Sequence, residues 1–231
     1  MQHVKDKNIN VLSIFVIHYL DKTMYGQPVD IYEKYAHDIF SRVVEIDDAM
    51  VGLKISLEYI SEVEFSSTSF TFSELHSFHV ENFLIRLTSV VDRSLKLSGV
   101  VLGMEDSIVD GHNGNREIKK KLKLCKDNIS PCIERIEKIV SVYKKERNKI
   151  VHYSGYSNKN LTALTTLESL TDEEKNNFKG LMSPTELKNI VVDDIREPYK
   201  LIIKELNSSI EALISSLNPI FSEYLIAKNY T

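Results

Sequence analysis

From Asp30 to about Ser61, apolar side chains return every three or four positions: Ile31, Tyr35, Ile39, Val43, Ile46, Met50, Leu53 and Leu57. That period lines one face of an α-helix, whereas a strand of period two would scatter the same residues over both faces. Helix breakers are scarce, with 8 Gly and 5 Pro in 231 residues. Both observations predict an all-α chain built from long helices.

The same reading extends along the sequence. Ser73 is a predicted N-cap for a helix to about Leu97, with Val80, Leu84, Leu87 and Val91 on its apolar side. A polar stripe on that helix, His79, Asn82, Arg86, Ser89 and Arg93, is a candidate second wall for a site. Residues 98–115 hold Gly99, Gly103, Gly111 and Gly114 and read as a loop or irregular excursion before a short basic helix at about 116–126. Ser130-Pro131 then opens a helix whose seam is Ile133, Ile136, Val140 and Tyr143, predicted to run unbroken to His152. Residues 153–183 read as a long connection with room for a short helix. Ser183-Pro184-Thr185-Glu186 is a capping box that starts a final helix to about Ala227, kinked near Pro198. The sum is an antiparallel helical bundle of four to five main helices with loop insertions, a single domain over residues 1–231. Residues 1–28 form an N-terminal extension whose apolar segment fits either a short helix or a strand.

Charge is distributed unevenly. Residues 116–152 carry twelve Lys and Arg against five acids, a net of +7, which leaves −11 for the remainder of a chain whose total is −4. Such a segment is either a phosphate-attracting surface or a solvated helix face. Cys125 and Cys132 lack the spacing of a zinc knuckle and fit a reducing compartment. The longest apolar run, Val11 to Tyr19, is about half of what a bilayer demands. The first residues do not resemble a cleavable signal. The expectation is a cytoplasmic protein with no membrane span.

The chemistry concentrates in Arg147-Asn148-Lys149-Ile150-Val151-His152. On an unbroken helix, position 147 continues the apolar seam, and a charge there is costly unless it is paired or faces a cavity or partner. With about 100° per residue, Arg147 and His152 diverge by about 140°. One copy therefore makes a poor site, while two copies across a two-fold axis would gather two guanidiniums and two imidazoles around one phosphodiester. A structural reading stands beside this one, since cations at a helix C-terminus are stabilised by the helix dipole. His76 and His79, one turn apart, have no evident third ligand, so no metal site is expected. No glycine-rich phosphate loop or nucleophile elbow is present.

Arg-Asn-Lys-Ile-Val-His resembles the Arg-x4-His motif of the HEPN superfamily, including the Asn after the Arg, and it lies late in the helical order, before a further long helix. The resemblance covers residues 73–227. It implies a dimeric all-α domain with a composite site, which in active members is a ribonuclease requiring no metal or cofactor. His152 would then move protons, Arg147 would hold the phosphate, and Asn148 would orient the histidine or donate to the phosphate. Lys119, Lys120, Lys121, Lys144 and Lys145 are candidate RNA contacts, and Tyr153 and Tyr156 are candidate stacking platforms for an unpaired base. The implied partners are a second copy, RNA, and either a cognate antitoxin or a nucleotidyltransferase, as for a toxin or defence effector. Members silenced by a nucleotidyltransferase carry a Tyr two residues after the histidine. Here Ser154 stands at that position, with tyrosines at 153 and 156, so that regulation lacks its matching acceptor. A non-catalytic HEPN-like dimer that binds RNA, a nucleotide or a protein is the alternative, and a purely structural helical dimer is a third.

Overall fold

The computed structural model describes residues 2–65, 68–125, 128–171, 173–174 and 182–226. Every regular element among the described residues is helical. A 3-10 turn at His3–Lys5 and a short α1 (Lys7–Asn10) precede α2 (Ser13–Met24), so the apolar N-terminal segment is a helix. Two long helices follow, α3 (Ile31–Ser61) and α4 (Phe72–Val101). Next come α5 (Asp106–Val109), α6 (Gly114–Leu124), α7 (Ile129–Ser141), α8 (Lys144–His152) and α9 (Lys159–Ser169). A last long helix, α10, spans Pro184–Ile226 and continues through Pro198. Lys126 of the basic segment, the expected helix end at Ala227, and residues 172 and 175–181 of the long connection lie outside the described residues.

Each of the three long helices opens on a side-chain cap: an acid three positions on accepts the cap residue's N–H, and the cap side chain accepts a first-turn N–H, that of the same acid in α4 and α10 and that of Tyr32 in α3. For α3, Asp30 N–H donates to Glu33 Oε2 (3.0 Å) and Asp30 Oδ1 accepts from Tyr32 N–H (2.8 Å). For α10, Ser183 N–H donates to Glu186 Oε2 (2.8 Å) and Ser183 Oγ accepts from Glu186 N–H (3.2 Å). For α4 the cap is Thr71 and not Ser73: Thr71 N–H reaches Glu74 Oε2 (2.8 Å), and Thr71 Oγ1 accepts from Glu74 N–H (3.3 Å). Ser73, two residues later, already lies inside α4. It is buried, and its hydroxyl and its N–H both donate to Glu168.

Two other expectations change. The stretch 98–115 is more than half helical: α4 runs through Gly99 to Val101, and α5 and the start of α6 take six of the remaining fourteen residues. The helix expected from 131 to 152 breaks at Val142 and Tyr143. Ile139, Val140 and Val142 are β-branched and Ser141 bonds back to the Lys138 carbonyl (2.8 Å), all of which weakens the helix there. Tyr143 instead sets its ring edge-on to Tyr199 at 5.8 Å.

The chain packs as two compact units, residues 1–51, 89–141 and 205–231 in one and 52–88 and 142–204 in the other. In the first, Ile39, Val43, Ile46, Ile118, Leu122, Ile133, Ile136, Leu213 and Phe221 are buried. A buried hydrogen-bonded cluster ties its N-terminal segment down: His3 Nδ1 lies 2.6 Å from Asp47 Oδ1, and the Asp47 carboxylate also accepts the His3 and Val4 backbone N–H groups at 3.0 Å. Burial alone would raise the Asp47 pKa, but these hydrogen bonds outweigh it and hold the carboxyl far below its usual range. In the second unit, Phe72, Leu161, Leu164, Leu187, Val191 and Val192 form a core against which Val63, Phe65, Tyr156 and Leu167 pack. A stack of Phe83 on Tyr199 at 4.0 Å joins α4 to α10 within this unit.

Candidate active site

The motif occupies α8, nine residues long, none of them fully buried. Because α7 ends at Ser141, position 147 does not extend the α7 seam, which stops at Val140. Arg147 is therefore not a charge forced into a core position. It is half-buried, its Nη1 donates to Asn148 Oδ1 at 3.2 Å, and its Nε is enclosed with no hydrogen-bond acceptor. No carboxylate pairs with it among the described residues. Within one copy the Asn148 side chain therefore meets the arginine. His152 is exposed at the last helical position, with the Tyr153 ring edge-on at 6.4 Å.

Both ends of α8 are anchored inside the second unit. At the start, Tyr143 contacts Tyr199, and burial pushes both phenols above their usual pKa. At the end, the Lys149 carbonyl accepts from the Tyr153 and Ser154 N–H groups, both at 3.0 Å. Glu81 on α4 then takes the Tyr156 N–H at 2.6 Å. A Cβ at position 155 would lie 2.7 Å from Glu81 Oε1, so Gly155 permits this close approach. Glu81 was not among the sequence-predicted site residues. Nothing local pairs two positions 75 residues apart, and only the fold supplies the connection.

A cavity of about 460 Å³ opens along α8, lined by Lys145, Glu146, Asn148, Lys149, Ile150, Tyr153, Tyr156 and Ser157. Lys145, Lys149 and Tyr153 share one face at four-residue spacing. Lys144, Lys145 and Lys149 have no acidic partner among the described residues. Tyr153 is 87% exposed. Tyr156 is half-buried against the core, and its hydroxyl accepts from Asn158 Nδ2 at 3.1 Å. Burial raises its pKa.

The other predicted residues lie elsewhere. Lys119, Lys120 and Lys121 sit on α6, in the first unit, and are engaged: Lys119 with Glu137, Lys120 with Glu117 at 2.7 Å, and Lys121 with the Leu102 carbonyl at 2.8 Å. None of the polar stripe of α4 lines the α8 cavity, and three of its residues meet α3 instead. His79 stacks on Tyr59 at 4.5 Å, Arg86 lies where a side chain on Gly52 would collide with it, and Arg93 donates to the Glu45 carbonyl. His76 is fully buried beside the Phe72 ring, and neither ring nitrogen has a hydrogen-bond partner among the described residues. Burial, then the neighbouring His79, lowers its pKa to about 4.

An all-helical chain that carries Arg-Asn-x3-His on one exposed helix defines a class, the helical domains built around an Arg-x4-His motif. Residues 17–223 match the family model described as Cthe2314-like HEPN, and the chain belongs to that HEPN family. No curated protein and no solved structure matches it. No helix among the described residues is long and apolar enough to cross a membrane.

Proposed function

We propose that the protein is a homodimeric endoribonuclease that cuts RNA by attack of the 2′-OH, without a metal, as a toxin or defence effector against foreign RNA. The observation that carries this reading is Arg147. The dipole of α8 accounts for cations in its last turn, where Lys149 and His152 stand, but Arg147 is the fourth residue of nine. An arginine held by Asn148, with no acid against it among the described residues and partly enclosed, is preset for bidentate contact with a phosphate. His152 is at an exposed helix end, accessible to a strand and of the residue type suited to moving a proton near neutral pH. Within one copy the two diverge by about 140° on the helix. A second α8 across a two-fold axis completes the set, bringing the imidazole of one copy, which takes the 2′-OH proton and then returns it to the leaving 5′-oxygen, against the guanidinium of the other on the non-bridging oxygens.

The test is cleavage of single-stranded RNA by the purified chain in EDTA. The expected products carry a 2′,3′-cyclic phosphate and a 5′-hydroxyl. Arg147→Ala and His152→Ala are each expected to lower the rate by about 100-fold or more while the dimer persists by light scattering. Cleavage that survives both substitutions contradicts the mechanism. A second reading, a non-catalytic dimer that binds RNA, a nucleotide or a protein, is favoured by Ser154 at the family's tyrosine position and by the acidic remainder of the chain. It predicts salt-dependent binding without cutting.

A further inference from the structure

We infer that the cavity along α8 is a subsite for one unpaired nucleotide next to the phosphate that Arg147 and His152 act on; its place beside a scissile bond rests on the nuclease reading, its binding of a nucleotide does not. Neither Arg147 nor His152 lines the cavity, so it is a separate feature of the same helix. Its volume, about 460 Å³, suits a small ligand and not a folded partner. Its lining supplies the three contacts that a nucleotide needs. Tyr153, 87% exposed, offers a ring face to water that a base would cover. Lys145 and Lys149, four residues apart on the same face and without an acidic partner among the described residues, offer two cations for a backbone phosphate. Glu146 adds an acceptor for the exocyclic amino group of adenine, guanine or cytosine.

Two contacts couple the cavity to the motif. Asn148 lines it while its Oδ1 accepts from Arg147, so the residue that orients the guanidinium also borders the ligand. The Tyr153 ring stands 6.4 Å from the His152 ring, so a base stacked there lies one ring step from the imidazole.

The experiment measures binding of an uncleavable 2′-O-methyl single strand, and separately of AMP, CMP, GMP and UMP, to the full chain by calorimetry. Tyr153→Ala is expected to weaken strand binding about 10-fold and Tyr153→Phe to leave it intact. The double variant Lys145→Gln/Lys149→Gln is expected to weaken it and to reduce the slope of log K against log salt by about 1.4. Mononucleotides that bind with the same Tyr153 dependence identify a site open to free nucleotides as well as strands, and binding of the strand alone identifies an RNA subsite. Equal strand and mononucleotide affinity in parent and variants, or no binding of either probe, overturns the subsite. A parent that binds through Tyr153 but never cuts overturns the nuclease reading alone. A parent that cuts, with KM unchanged in Tyr153→Ala, overturns the subsite alone.

Discussion

At the scale of single residues, the basic segment holds both cations that meet a partner and cations with no acid against them among the described residues. Lys119, Lys120 and Lys121 have partners within their own unit, whereas Arg147 meets Asn148 and no acid among the described residues. The local sequence made all of them equally eligible. Composition records a net +7 over 116–152, but it cannot say which cations have already found an acid or a carbonyl. His76 shows the reverse case, a buried polar side chain with no hydrogen-bond partner among the described residues. Burial, and then His79, hold its pKa down to about 4 in the folded chain against about 6.5 when exposed. Between these values the unfolded chain binds the additional proton, so folding stability is complete above about pH 6.5 and falls as pH drops toward 4. The loss over that window is on the order of 3 kcal/mol, and burial of His79 acts in the same direction. Urea unfolding at pH 7 and pH 4.5 should show this slope in the parent and a flatter one in His76→Leu. Equal slopes in both would remove His76 from the account.

At the scale of elements, the long helices were legible because each buries a stripe of helical period. Ile39, Val43, Ile46 and Leu53 of α3 are all fully buried, as their spacing requires. The breaks and starts were harder to read. Periodicity carried across Val142 and Tyr143 because Tyr143 falls where the next seam residue is due, although its ring turns to Tyr199 and the helix restarts at Lys144. The α4 cap was misplaced because Thr71 and Ser73 are both competent side chains, and only the partner three residues on distinguishes them: Glu74 follows Thr71, while His76 follows Ser73. The Gly-rich stretch 98–115 suggested a loop, but Gly99 serves close packing, since a Cβ there would meet Ile118 Cγ1 at 2.9 Å. Thr71→Ala and Ser183→Ala should each lower stability by about 1 kcal/mol in urea unfolding. A loss below a few tenths for both would show that these caps do not hold the helix ends.

At the scale of the whole molecule, family membership and the all-helical architecture stand on the match over residues 17–223 and on the helices themselves. The motif was readable from six residues. Its supports, Tyr143 on Tyr199 and Glu81 on Tyr156, were not, because each joins positions more than fifty apart. Function then turns on a claim about two copies: the guanidinium of one and the imidazole of the other work in the same cleft. Arg147→Ala and His152→Ala chains can be tagged differently, co-refolded, and isolated as mixed dimers. Such a dimer retains one arginine and one histidine, and RNA cleavage in EDTA should return although neither parent variant cuts. Mixed dimers that are isolated intact and remain as inactive as their parents would contradict the composite site.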